Sequence, residues 1–154
     1  MTLYLFALLI GVIAGLRAMT APAAVAWAAH LGWLPLAGTP LAWLGATVTP
    51  WIFTALALAE LISDQLPKTP SRKVPPQFIT RVLTGGFCGA AIGMTSGTWI
   101  GGLGAGAIGA VIGALGGAEV RGRLAKAFGK DLPAALLEDA VAVFGGIAIV
   151  MAAL

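Results

Sequence analysis

The stretch 82–118 reads VLTGGFCGAAIGMTSGTWIGGLGAGAIGAVIGALGGA and contains no charged residue. A membrane-spanning helix needs about 20 apolar residues, so these 37 residues are too many for one helix and suit two joined by a tight turn. The polar run Thr95, Ser96, Gly97 and Thr98 interrupts the stretch near its middle. The stretch therefore predicts two spans, 79–95 and 99–118.

The composition of the whole chain is typical of a membrane protein. Of its 154 residues, 59% are apolar and only 10% are charged, and the mean hydropathy is +0.97. Soluble domains carry roughly 25% charged residues, so a water-soluble enzyme and a disordered chain are excluded. The net charge of +3 comes without a dense basic stripe, and we predict no nucleic-acid partner.

The chain lacks the residue patterns of metal and cofactor sites. Cys88 is the single cysteine, and no Cys and His spacing resembles a zinc site. The glycine-framed serine of hydrolases and the phosphate-binding glycine loop are both missing from the sequence. We predict no metal, no cofactor and no enzymatic activity, and keep an enzyme acting on a lipid headgroup as a further alternative.

The positions of the charges divide the chain into spans. A charged side chain in hydrocarbon costs roughly several kcal/mol, so it lies at the end of a span or pairs with an opposite charge. We predict an all-α membrane protein with a single integral membrane domain over residues 1–154. A Pro-rich cytoplasmic loop, 67–78, joins halves at 1–66 and 79–154. The five predicted spans are 2–20, 42–66, 79–95, 99–118 and 132–153.

The basic residues predict the orientation of these spans. They fall in the loops after the second and fourth spans, which five spans place on one side: Lys68, Arg72, Lys73 and Arg81, and then Arg121, Arg123, Lys126 and Lys130. By the positive-inside rule that side is the cytoplasm. We therefore predict a bacterial inner-membrane protein with a cytoplasmic N-terminus.

Two short helices are predicted to lie at the membrane surface. One falls in 22–39, on the outside, and the other, amphipathic, covers 119–130 on the inside. The order span, interfacial helix, span then describes both 2–66 and 99–153. Because one span separates the two units, they enter the membrane from opposite sides, as in an inverted repeat, and chance similarity is the alternative explanation.

A glycine row follows a four-residue spacing through the uncharged stretch. Such small-residue rows let helix backbones approach closely in lipid. The row predicts packing between spans three and four and their neighbours, and a homo-oligomer seam or a smooth pore wall is the alternative. Its glycines are Gly85, Gly89, Gly93, Gly97, Gly101, Gly109, Gly113 and Gly117.

Four carboxylates lie inside predicted spans, well away from their ends. Glu60 and Asp64 share one helix face, and Glu138 and Asp139 lie about 10 Å inside the start of the last span. Ionisable groups at that depth face a bundle interior or a wet cavity and often mark an ion path. One interpretation is a site for a cation, proton or polar solute. The other is that Arg81, Arg121 and Arg123 pair with these carboxylates and tie the spans together.

Arg17 and Thr20 flank a predicted break in the first apolar segment. Pro22 removes a backbone donor there, and Thr20 is predicted to cap a helix that follows. A guanidinium beside a free helix N-terminus predicts an anion site at the outer end of the first span. The alternative is that the Arg17 side chain extends to the lipid headgroups.

Three segments resemble a family of small bacterial multi-pass membrane proteins, the domain of unknown function four-one-two-six. They read AGLRAMTAPAAVAWAAHLGWL at 14–34, AELISDQLPKTPSRKVPP at 59–76 and LPAALLEDAVAVFGG at 132–146. The resemblance covers most of the chain and includes Arg17, Glu60 and Glu138. It implies an integral inner-membrane protein and no particular substrate.

The predicted function is a small-ion or polar-solute transporter or channel that uses the intramembrane carboxylates. Its site residues are Glu60, Asp64, Glu138, Asp139, Arg17 and Thr20. The alternative is a non-catalytic scaffold or accessory subunit assembled through the glycine row. The predicted partners are the lipid bilayer, further copies of the chain and a small ion or solute of unknown identity.

Overall fold

The computed structural model describes residues 2–36, 38–63, 75–129 and 131–152. Within these ranges the fold is all-α, as predicted, and contains no strand. The helices are α1 (Thr2–Leu16), α2 (Thr20–His30), α3 (Thr49–Ser63), α4 (Pro75–Met94), α5 (Trp99–Phe128) and α6 (Asp131–Ala152), with a short 3-10 helix at Ala42–Gly45.

Helices α1, α4 and α5 pack through facing glycines. A Cβ atom added at Gly106 would lie 2.1 Å from the Gly85 carbonyl oxygen, and one at Gly11 would lie 2.1 Å from the Gly106 carbonyl oxygen. No side chain fits between such backbones, which gain dispersion contacts from their closeness. The predicted glycines that lie at close contacts of this kind are Gly85, Gly89, Gly93, Gly109 and Gly113.

The other three glycines of the predicted row have different surroundings. Gly97 belongs to the turn between α4 and α5, where its φ of +76° favours glycine and no atom lies near a Cβ, so the prediction that it packs between helices is wrong. Gly101 lies against the side chain of Tyr4. Gly117 lines a cavity beside α6.

The contacts fix the directions of these helices. The pairs Tyr4 with Gly101, Val12 with Gly113, and Gly85 with Ala110 are in contact. Helix α1 therefore runs parallel to α5, and α4 runs antiparallel to both. The turn at 95–98 lies where the sequence predicted it.

Helix α2 turns back alongside α1. Ile13 and Ala24 both lie against Gly146 of α6, so the chain reverses between α1 and α2, at residues 17–19, which we call the elbow. The predicted surface helix in 22–39 is wrong for this segment, because Val25, Ala26 and Ala28 of α2 are fully buried. Small apolar side chains on every side of α2 let the bundle enclose it.

Helix α3 runs antiparallel to α2 and α6 runs antiparallel to α1. Trp27 donates a hydrogen bond from Nε1 to Thr54 Oγ1 at 2.8 Å, and its ring meets the Trp51 ring edge-on at 5.0 Å between centroids. The far end of α3 brings Glu60 to the elbow. In α6, Glu138 lies at the elbow, and Gly146 lies further along the helix, away from the elbow and beside α2.

The six described helices thus run alternately up and down the bundle, and the five predicted membrane spans stay a prediction. The start of α1 and the end of α6 lie at the end of the bundle that holds the 95–98 turn, and the elbow lies towards the other end. The start of α1 therefore lies at the opposite end of the bundle from Arg81 and Arg121, which lie at the elbow end.

Helix α5 continues through the region predicted as a separate amphipathic helix. It ends at Phe128, and Gly129 closes it with a left-handed φ of +73°. No proline interrupts residues 99–128, and each interior glycine costs only about 1 kcal/mol. The units 2–66 and 99–153 therefore differ in architecture, which removes the basis for the predicted inverted repeat.

Large apolar side chains lie outside the bundle and several charged ones lie inside. Leu83, Ile100 and Phe144 are 67%, 68% and 71% exposed, whereas Arg17 is 0% and Arg81 is 2% exposed. By length and composition, one helix in the described ranges, Trp99–Phe128, is sufficient to cross a membrane, and Thr2–Leu16 and Phe78–Met94 are shorter apolar helices.

Candidate functional site

Arg17 occupies the centre of the elbow and is fully buried. Its Nε donates to Asp139 Oδ1 at 2.7 Å, and Nη2 donates to the same oxygen. Its Nη1 donates to Glu138 Oε1 at 2.9 Å and to the Leu16 carbonyl oxygen at 3.2 Å. Two carboxylates of α6 therefore hold the guanidinium, Asp139 by two of these bonds and Glu138 by one.

Glu60 binds the start of α2. Its Oε2 accepts from the Ala18 N–H at 3.1 Å and its Oε1 from the Met19 N–H at 3.3 Å. A carboxylate there satisfies backbone donors that have no helical partner and complements the positive end of the helix dipole. The sequence predicted a free anion site at this helix N-terminus; the protein's own Glu60 fills it.

Arg81 binds the end of α1 in the complementary way. Its Nη1 donates to the carbonyl oxygens of Gly15 at 2.9 Å and Leu16 at 2.7 Å. These carbonyls lie in the last turn of α1, where a cation complements the negative end of the helix dipole. Glu60 and Arg81 together satisfy the backbone that the elbow interrupts.

Thr20 opens α2 but does not cap it. The N-cap position is Met19, without a side-chain hydrogen bond, so the predicted capping role of Thr20 is wrong. The threonine is 6% exposed, and among the described residues its Oγ1 has no hydrogen-bond partner. It places a hydroxyl in the buried elbow region.

The arginines that the sequence predicted as partners of the buried carboxylates have different surroundings from one another. Arg123 pairs with Glu119 one turn away at 2.6 Å, and both side chains are exposed. The prediction that Arg123 holds a buried carboxylate is therefore wrong. Arg121 lines the same cavity as Glu138. Asp64 lies outside the described residues.

The cavity beside the elbow has a volume of about 340 Å³. It lies among α1, α5 and α6, and most of the residues that line it are apolar or glycine. Glu138 and Arg121 are the two charged residues in its wall. Glu138 thus has the Arg17 ion pair on one side and this cavity on the other.

The charged groups of the cluster come from the elbow itself, which carries Arg17, and from three helices, α3, α4 and α6. Within the described part of the chain the cluster holds two guanidinium groups, Arg17 and Arg81, and three carboxylates, Glu60, Glu138 and Asp139. In the same ranges, no group of three or more His, Cys, Asp or Glu side chains is placed to hold a metal ion. The arrangement suits the binding and exchange of a proton or a monovalent cation at a carboxylate.

The sequence alone does not reveal that Arg17 is the partner of Glu138 and Asp139. Counting one full crossing before residue 20 places Arg17 at the outer end of the first span, remote from the carboxylates. The cost of an isolated guanidinium in lipid was the signal that Arg17 needs a carboxylate.

Comparisons with known proteins add no relative: no family model, no curated protein and no solved structure matches the chain. The resemblance to the domain of unknown function four-one-two-six stays a prediction.

Proposed function

We propose that the chain is an integral protein of the bacterial inner membrane, with its helices packed as one bundle in the bilayer. The distribution of side chains supports this, since large apolar groups cover the outside while Arg17, Arg81 and Glu138 are buried. In water these exposed apolar side chains would be unfavourable, and large apolar patches are rare on monomeric soluble proteins. In lipid they contact the hydrocarbon directly.

The elbow end of the bundle faces the cytoplasm in this proposal. Arg121, Arg123 and Lys126 lie in the part of α5 at that end, and the positive-inside rule places such residues inside. Both described termini, Thr2 and Ala152, then face outward. This orientation replaces the cytoplasmic N-terminus expected from five spans.

Cysteine labelling tests the orientation. In a Cys88→Ala background, we expect a membrane-impermeant maleimide to label Ser96→Cys in intact spheroplasts and Lys126→Cys only after permeabilisation. Both native side chains are exposed, and they lie at opposite ends of the bundle. The wild-type protein, whose single cysteine Cys88 is buried, serves as the unlabelled control. Labelling in the opposite order would reverse the orientation, and equal labelling of both would contradict a spanning bundle.

For function, we infer that the elbow cluster carries a proton or a small monovalent cation across the membrane. One observation supports this most directly: Glu138 accepts a hydrogen bond from Arg17 Nη1 and also lies in the wall of the cavity. Asp139 keeps Arg17 bound through Nε and Nη2 when Glu138 leaves. Glu138 is therefore the exchanging group, and Asp139 is the residue that keeps the buried guanidinium neutralised.

Flux through proteoliposomes tests this function. We expect wild-type protein in phosphatidylcholine liposomes to conduct at least one of H⁺, Na⁺ and K⁺, and Glu138→Gln to reduce that flux about tenfold or more, since an amide neither binds a proton nor attracts a cation. Glu119→Gln, which removes an exposed carboxylate, is the matched control and should leave flux unchanged. Circular dichroism checks that both variants stay helical.

Two results would count against transport. Transport would be contradicted if liposomes with the wild-type protein conducted none of the three ions. It would also be contradicted if the folded Glu138→Gln protein conducted as much as wild type. In either case the alternative is the scaffold or accessory subunit, since Glu60 and Arg81 already have structural roles at the elbow.

The scaffold alternative cannot use the glycine row as first expected. Its close-packed members face α1, α4 and α5 of the same chain, so they offer no seam to a second copy. Assembly would instead use the exposed apolar faces. A homo-oligomer stays a prediction, which native mass spectrometry of the purified protein measures.

A further inference from the structure

The cavity beside Glu138 is also a groove in the outer face of the bundle. Glycines of α5, Gly116 and Gly117, contribute to its lining, and Val120, Leu137 and Val141 line it as well. Those three apolar side chains are more than one-third exposed, so the groove opens sideways from the bundle. We propose that it binds an anionic phospholipid of the inner leaflet, with an acyl chain along the groove and the phosphate at Arg121.

The dimensions of the groove fit one hydrocarbon chain. Along α5 it runs from Ile112 to Leu124, a rise of about 18 Å at 1.5 Å per residue. One leaflet of a bilayer core about 30 Å thick is about 15 Å deep. Its volume of about 340 Å³ is spread along that length, which makes the groove long and narrow. An α-helix is about 10–12 Å wide, so a whole helix of a second copy does not fit inside the groove.

The polar end of the groove has the charge that a phosphate requires. Arg121 lines it. The other charge in the wall, Glu138, is compensated by its ion pair with Arg17 at 2.9 Å. Basic pockets between membrane helices on the cytoplasmic side are suited to acidic lipid headgroups.

The apolar end of the groove faces the bilayer centre. The groove therefore has one charged end and one apolar end, as a lipid does. Ile112 and Val141 lie at the apolar end, in the part of the bundle nearer the 95–98 turn. An amphiphile with one charged end and one hydrocarbon end therefore enters in a single orientation. Because Glu138 also lies in the wall, the bound chain covers that carboxylate.

Native mass spectrometry of the purified protein tests the site, with phosphatidylglycerol and phosphatidylcholine as the probes. We expect wild type to retain phosphatidylglycerol at least fivefold better than phosphatidylcholine. Arg121→Gln should remove that preference, because the amide leaves the phosphate without a cation. Gly116→Leu should lower retention of both lipids, because its side chain fills the groove.

The matched control is Gly104→Leu on the same helix. A Cβ at Gly104 or at Gly116 meets no atom within 4 Å, so both variants are expected to fold, but Gly104 does not line the groove. Gly104→Leu should therefore retain both lipids as wild type does. Circular dichroism confirms that all variants are helical.

Three results would overturn the proposal. Equal retention by wild type and Gly116→Leu would mean general lipid contact without a site. Displacement of phosphatidylglycerol by inorganic phosphate alone would mean a headgroup site without a groove. A dimer of wild type that Gly116→Leu dissociates would mean that a second copy covers this face.

This inference rests on the proposed membrane location and not on transport. Lipid retention is measured in detergent without flux, and flux is measured in phosphatidylcholine, where no anionic lipid is needed. Flux without lipid selectivity would contradict only the proposed lipid site. Lipid selectivity without flux would contradict only the proposed transport.

Discussion

Arg17→Leu should lower the free energy of unfolding by about 3–5 kcal/mol, the range for breaking a buried ion pair from one side. The substitution leaves Glu138 and Asp139 inside the bundle without their guanidinium. Burial of a carboxylate is unfavourable unless a partner compensates it, and Arg17 contacts both carboxylates. Denaturant unfolding in mild detergent, followed by circular dichroism, measures the change.

Two further variants separate the ion pair from general sensitivity to mutation. Arg123→Leu removes an exposed arginine whose partner is one helical turn away, and should change stability little. Replacing Arg17, Glu138 and Asp139 together with leucine should recover much of the loss, because apolar groups often replace a buried ionic cluster at no net cost. An Arg17→Leu protein as stable as wild type would show that the elbow does not depend on this pairing.

Gly106→Leu should be as damaging, for a steric reason. A single added carbon at this position would lie 2.1 Å from the Gly85 carbonyl oxygen and 3.0 Å from the Gly89 Cα. Backbone atoms cannot rotate away as a side chain does, so α4 and α5 have to separate. Overpacking of this kind typically costs 1–3 kcal/mol and occasionally more, and we expect a loss of about 3 kcal/mol or more because leucine adds four carbons.

The matched control for this variant is again Gly104→Leu, two residues earlier on the same helix, where added atoms meet open space. Size-exclusion chromatography and thermal unfolding in detergent compare the two proteins. If Gly106→Leu elutes and unfolds as Gly104→Leu does, the close approach of α4 and α5 does not hold the bundle together.

The sequence was informative where one residue type dictates a local outcome. An uncharged run of glycine and alanine with polar residues at 95–98 indicated a helical hairpin, and the hairpin is present. The four-residue spacing identified several of the glycines at the α4–α5 contact. The spacing does not identify Gly102 and Gly106. Continued from α4 into α5, the row falls on positions 101 and 105, whereas the glycines that face α4 lie one position later.

The sequence was uninformative about direction and long-range pairing. Residues 17–19 mark a break, but whether the following helix leaves the bundle or returns into it depends on what α3 and α6 bury. Helix α5 was divided at residue 118 because its composition changes there from apolar to charged. A change in surroundings does not interrupt the backbone hydrogen bonds, and the helix continues for another ten residues.

The elbow also has a consequence for how the protein is made. Arg17 and the carboxylates that neutralise it are separated by 121 and 122 positions along the chain. When α1 and α2 leave the ribosome, α6 has not yet been translated, so Arg17 is made well before Glu138 and Asp139. In the proposed membrane location, the guanidinium therefore reaches its buried position only after α6 has been inserted.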